Sequence, residues 1–334
     1  MKPHSSSGAA VRWQWNGALR GAVTAAPAAA VALWDVQAAA ALAVGLLPVC
    51  SLPLAPGRPA RLRSGLVGVL AALSVFLGGF LAQWPVVATL GLALAGGLLG
   101  HVVAARPGPV SMLGLVICLP LFAVGLSYPG AGEVAGLALD LLVGTAWSVL
   151  VALAWPEHPA PPAPRAPTPP PALLVTYGWV AGVTGAVCAA IGFAASLEHV
   201  GWAPAAALLV MRPDPPTQRL RSLDRLGDVV IGALAAIALV LADPPDWVYG
   251  AAILLVMTAA TAVAGSRWYV LPTLTTCLVF IMLLARDPGD AAMRFWERVV
   301  ETGLGVGIAA VAGFVVLPAL VRRRASRPDR QART

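Results

Sequence analysis

From Thr302 to Pro318 the chain runs without a single charged residue, and the acid and base just ahead of it, Glu301 and Arg298, stand at the mouth of that run. A charge inside a bilayer costs several kcal/mol on insertion scales, so it is kept out unless it has a partner or a task. The same apolar texture recurs along the chain. Of its 334 residues 59% are hydrophobic and 11% are charged, whereas a soluble domain carries about 25% charged residues. One crossing takes about 20 apolar residues per helix. The pattern predicts an all-α integral membrane protein with about 12 transmembrane helices, arranged as two six-helix parallel repeats.

Charges and prolines mark the predicted spans: 17–33, 36–54, 62–83, 85–104, 109–127 and 133–155, then 172–197, 200–211, 222–242, 247–265, 268–285 and 294–320. Residues 1–16 form an N-terminal segment, 17–155 a first repeat, 172–320 a second repeat and 321–334 a basic tail. Between the repeats, residues 156–171 hold nine prolines in sixteen positions, a composition that reads as an extended, semi-rigid linker. Of the 22 basic residues all but Arg286, Arg294 and Arg298 fall on the side of the termini and the linker. The positive-inside rule makes that side cytoplasmic. The start "AVTAAPAAAVALW" imitates a cleavable signal. Its removal would leave an odd number of spans, so it is read as the first span.

Repetition appears in the sequence itself. "RLRSGLVGVLAAL" at 61–73 matches "RLGDVVIGALAAI" at 225–237, and Cys118, Pro129 and Gly130 match Cys277, Pro288 and Gly289. The pattern Arg298-x-x-Glu301-x-x-x-Gly305 has a twin in Arg225-x-x-Asp228-x-x-x-Gly232. Partial copies are Arg61-x-x-Ser64-x-x-x-Gly68 and Leu137-x-x-Asp140-x-x-x-Gly144. Residues three or four apart share a helix face, so base, acid and glycine stack in one stripe. The glycine admits a neighbouring helix, and the arginine is placed to pair with the acid on its own helix.

On these residues the chain resembles the fusaric-acid-resistance family, related to the aromatic acid exporters. The resemblance rests on "GWAPAAALLVMRPDPPTQRLRSLDRLGDVVIG" and the closing "RVVETGLGVGIAAVAGFVVLP", about 150 residues of the second half, and extends more weakly to the first. Where the family favours Gly-Thr this chain has Asp228-Val229, while Glu301-Thr302 fits better. Larger members carry a soluble cytoplasmic domain, where this chain has the proline linker. The resemblance implies export of aromatic or other hydrophobic carboxylic acids across a bacterial cytoplasmic membrane.

Site residues follow from position. Asp140 and Glu301 lie about eight residues into the sixth and twelfth spans, roughly 12 Å from the outer end, and are candidates for proton coupling, with Arg298, Asp228 and Arg225 beside them. The bland alternative is that Glu301 only neutralises Arg298 and Asp140 caps or snorkels. The second span of each half is the oddest segment. Twelve residues separate His199 from Arg212, about 18 Å of helix, and 36–54 is broken by Pro48 and Pro53. Short or interrupted segments in corresponding positions point to a transporter's binding site. This makes Trp34, Gln37, Trp202 and Arg61 substrate-path candidates. The remaining tryptophans at span ends form an interfacial belt.

Other classes find no support. Cys50, Cys118, Cys188 and Cys277 sit in apolar runs with no C-x-x-C pair, and the four histidines are scattered without suggesting a metal cluster. No Walker or Rossmann glycine pattern is present. No enzymatic activity and no cofactor is expected, and no nucleic-acid partner. The expected partners are a small organic acid, the lipid bilayer and, in an oligomer, further copies of the chain. The alternatives are a carrier of another class, for drugs, sugars or lipids, and a non-transporting membrane assembly partner.

Overall fold

The computed structural model describes residues 13–106, 112–157, 169–264, 270–285 and 287–325. Most of the 156–171 linker, of the N-terminal segment and of the basic tail lies outside these residues. The described chain is helical and contains no strand. In the first half the helices are α1 (Trp15–Val31), α2 (Val36–Cys50), α3 (Arg58–Ala82), α4 (Pro85–Ala105), α5 (Leu119–Gly125, after a π turn at Gly114–Cys118) and α6 (Ala131–Ala154). The second half supplies α7 (Pro171–Ala194), α8 (Trp202–Val210), α9 (Pro215–Leu241), α10 (Asp246–Ala262), α11 (Val270–Leu284) and α12 (Ala291–Val311). A π turn at Ala312–Val316 continues α12 into α13 (Leu317–Ala325).

Five stretches are long and apolar enough to cross a bilayer: α3, α4, α6, α7 and Pro288–Arg323. The protein is therefore a helical membrane protein. Helices α2, α10 and α11 are apolar but shorter. Helix α8 has nine residues, about 13 Å of rise, and is buried along almost its whole length.

The chain forms two compact units, and neither is a sequence half. The first comprises Met1–Val69, Leu139–Pro161 and Gly227–Trp296; the second comprises Leu70–Ala138, Pro162–Leu226 and Glu297–Thr334. In the first unit α1 packs on α10 and α2 on α11. Its core is built of alanines from α1 and α2 against Ile253, Met257, Leu278, Phe280 and Ile281. In the second unit α4 packs on α7 and α5 on α8, around Leu92, Leu119, Leu126, Leu174 and Met211.

Small residues set these contacts. Between bilayer-embedded helices apolar burial gives little drive, because lipid tails are as apolar as leucine, so packing depends on close backbone approach. In the second unit a Cβ at Gly96 would lie 2.4 Å from the Cα of Gly182, and one at Gly100 would lie 2.9 Å from the Cα of Gly178. Two Gly-x-x-x-Gly faces therefore meet directly. In the first unit Gly17 and Gly21 of α1 lie against Thr261 of α10 in the same manner.

Candidate functional site

The site is assembled in the second unit where α7 ends. There Ser196 takes a left-handed conformation, φ 52°, and Leu197 N–H donates to the carbonyl of Gly192 at 3.0 Å, closing the helix. The chain then turns through Glu198 and His199 into α8. Gly201 N–H donates to Ser127 Oγ at 3.0 Å, and a Cβ at Gly201 would lie 2.0 Å from the carbonyl oxygen of Ala123. A Cβ at Gly305 of α12 would fall 2.1 Å from the carbonyl oxygen of Ala203. The start of α8 is thus held by backbone contacts with both α5 and α12, which fixes Trp202 beside the mouth of α12.

Two side chains meet at Trp202, and a third joins them through His199. The His199 ring stacks on the indole with centroids 4.0 Å apart and planes 18° apart. The Arg298 guanidinium carbon lies 4.5 Å from the indole centroid. His199 Nδ1 is 3.0 Å from Glu297 Oε1. One turn further along α12 is Glu301, 2% exposed.

The hydrogen-bonded pair expected for Arg298 and Glu301 does not form, although the two groups lie within electrostatic reach of each other. Neither carboxylate oxygen of Glu301 has a hydrogen-bond partner, and neither Nε nor Nη1 of Arg298 has one. Arg298 turns to Trp202 instead, because α8 presents an aromatic face where its guanidinium emerges. Arg225, Glu297 and Tyr128 lie within electrostatic reach of Arg298. Tyr128, in the loop between α5 and α6, has its phenol pushed up by burial, with Arg298 opposing. Buried polar groups are almost always hydrogen-bonded, so unmet hydrogen-bonding capacity on two neighbouring ionisable side chains calls for an explanation.

The other residues predicted from sequence are distributed differently. Trp202, Arg225, Arg298 and Glu301 fall in the second unit; Trp34, Gln37, Arg61, Asp140 and Asp228 fall in the first. Arg61, 1% exposed, donates to five backbone carbonyls: Ala55 at 2.7 Å, Ala152 at 2.8 Å, Pro156 at 2.9 Å, Pro56 at 3.3 Å, and Trp155. These include the last carbonyls of α6, so Arg61 caps a helix end and leaves little of its guanidinium for a substrate. Asp228 Oδ1 accepts from Thr273 Oγ1 at 3.1 Å. Asp140 is half-buried, and its backbone carbonyl is what a Cβ at Gly45 would strike, at 2.3 Å. Trp34 is 79% exposed, in keeping with a belt position, and Gln37 sits half-buried in the first turn of α2, next to the Asp35 cap.

Sequence reading left His199 out of the site because 98 residues separate it from Glu297. It also found no metal cluster, yet Glu198, His199 and Glu297 bring their donor atoms within 4.8 Å of one another. The three form a cluster that runs from the exposed Glu198 to the buried His199, and exposed acidic groups commonly cluster in this way without a metal ion. At the far end of α8, Tyr177 Oη donates to the Met211 carbonyl at 2.9 Å. Burial pulls the neighbouring Arg212 guanidinium down, with Tyr177 opposing.

A family model described as fusaric acid resistance protein-like matches residues 187–312. The matched region contains His199, Trp202, Arg225, Asp228, Glu297, Arg298 and Glu301, and it bears out the resemblance read from the second half. No curated protein and no solved structure shows a significant match to the chain.

Proposed function

We propose that this protein is a secondary exporter of aromatic or other hydrophobic organic acids across the bacterial cytoplasmic membrane, driven by the proton gradient. The observation that carries this reading is the buried Arg298 beside Trp202, with unoccupied N–H groups, one turn from a buried Glu301 that it does not bond. A guanidinium next to an indole suits an aromatic carboxylate, which offers charge to one and a ring to the other. Glu301 supplies the titratable group. When its carboxyl gains or loses a proton, the charge beside Arg298 changes, so proton binding and substrate binding at this site depend on each other.

The architecture that serves this coupling is twelve helices in two parallel repeats, 17–155 and 172–320, with both termini and the linker cytoplasmic. The packing supports it. The first and second helices of one half lie on the fourth and fifth of the other, in both units. The same spacing of 161 residues relates Gly17 to Gly178, Gly21 to Gly182, Asp140 to Glu301 and Gly144 to Gly305. The orientation rests on the basic residues, of which all but three lie on one side.

The test is efflux of a labelled aromatic acid from deletion cells complemented with the wild type or with Glu301→Gln. The amide keeps the shape and cannot ionise, so the variant should insert normally and lose pH-dependent efflux. Wild-type efflux with an unchanged pH profile in Glu301→Gln would overturn the coupling role. Equal accumulation in complemented and uncomplemented cells would overturn export itself.

A further inference from the structure

We infer that Glu198, His199 and Glu297 form the route by which protons reach Glu301 from one face of the membrane. The inference rests on the reading of Glu301 as the coupling carboxyl. Burial falls into a graded series: Glu198 is exposed, Glu297 half-buried, and His199 and Glu301 buried. The donor atoms of Glu198, His199 and Glu297 lie within 4.8 Å of one another, and His199 Nδ1 is 3.0 Å from Glu297 Oε1. Glu297 and Glu301 stand four residues apart on one face of α12, about 5–6 Å between their Cβ atoms. Each step is therefore short, and the last carboxyl has no other hydrogen bond to hold its proton in place.

An imidazole suits the middle of such a route because it takes a proton on one ring nitrogen and gives one up from the other. Trp202 orients the relay. Stacked at 4.0 Å, it fixes the plane of the His199 ring and keeps Nδ1 on Glu297. The proton passes from solvent to the Glu198 and His199 end, from His199 Nδ1 to Glu297 Oε1, and then across one turn to Glu301. The other ionisable groups facing this route within the unit are Arg298 from α12, Arg225 from α9, Tyr128 from the loop after α5, and Glu133 beyond Tyr128. Arg298 borders both Glu297 and Glu301 and holds the path open to a negative charge on either, while the chain of proton acceptors bypasses it.

The experiment follows the carboxyl band of Glu301 by infrared difference spectroscopy after a pH jump on the full-length protein in lipid. The band is assigned by its loss in Glu301→Gln. In Glu297→Gln and His199→Gln it should reach the wild-type amplitude but about 100-fold more slowly, at the low end for removal of a positioned proton carrier. Glu297→Asp, which keeps a titratable group, should recover most of the rate. A band that rises at the wild-type rate in both Glu297→Gln and His199→Gln overturns the relay while leaving Glu301 as the coupling group. Absence of any titrating band assigned to Glu301 overturns the coupling reading and the relay together. Stoichiometric zinc retained by the wild type and lost in His199→Gln would make the cluster a metal site, and would overturn the relay alone.

Discussion

Arg61 and Arg298 each stand seven residues ahead of a glycine that receives a neighbouring helix, and both are buried, yet their surroundings are opposite. Arg61 in the first half is saturated, its five hydrogen bonds all going to backbone carbonyls at a helix end. Arg298 in the second half has Nε and Nη1 unbonded and leans on an indole. The same contrast separates the acids, for Asp140 is half-buried while Glu301 is enclosed. A motif repeated along one chain has thus been put to two uses. In the first half it fastens helices; in the second it leaves buried polar atoms without hydrogen bonds.

The largest effects should come from exchanging the two arginines for glutamine. Arg61→Gln leaves several buried carbonyls without their donor, a loss of about 3 kcal/mol or more. Membrane abundance and the unfolding temperature in detergent should both fall sharply. Arg298→Gln removes a buried charge that leans on Trp202 and whose Nε and Nη1 are unbonded, so it should cost less than the loss of Arg61. It should leave abundance within twofold of wild type and abolish export. Should Arg298→Gln prove the more destabilising of the two, the comparison breaks and Arg298 is a structural clamp as well.

A smaller effect is expected where the two halves agree. Gly144 and Gly305 both face backbone, with a Cβ falling 2.4 Å from the carbonyl carbon of Gly45 and 2.1 Å from the carbonyl oxygen of Ala203. Alanine at either position should cost about 1–3 kcal/mol as the helices are forced apart. Gly307 has nothing within 4 Å of its Cβ position, so Gly307→Ala should be neutral or slightly stabilising. Thermal unfolding of the three variants, read side by side, checks the motif's glycine in both halves at once. Equal gains at all three positions would mean that helix propensity, not close approach, sets the result.

Much of this was written in one dimension. Apolar runs and prolines marked helices that the structure reproduces to within a few residues outside the ninth, which begins earlier at Pro215, and the twelfth. The Arg-x-x-acid-x-x-x-Gly spacing marked two side chains that are buried, Arg298 and Glu301, and the close approach at Gly305. Pairing was the part that spacing misjudged. Residues three apart on a helix are neighbours, so Arg298 was assigned to Glu301, and nothing local shows that α8 offers Trp202 instead. His199 was illegible for the same reason, since its partner Glu297 lies on a distant helix. Arg61 looked like a substrate contact because a basic residue at a span end carries no sign of the helix terminus it caps.

The smallest effect belongs to the turns that lead into the two short second helices. The first-half turn, between α1 and α2, has no left-handed residue, and Asp35 caps α2 by accepting from Ala38 N–H at 2.9 Å. Its second-half counterpart requires Ser196 at φ 52°, a region that disfavours any residue with a Cβ by about 1–2 kcal/mol. Ser196→Gly should remove that strain at the expense of a more flexible unfolded chain, for a net gain of several tenths to about 1 kcal/mol. Export should not change, because His199 is positioned by Glu297 and Trp202 rather than by the turn. An unfolding temperature that rises slightly with unaltered efflux is the expected pair of results. A variant that gains stability and loses export would show instead that the strained turn, absent from the first half, is what keeps His199 on Glu297.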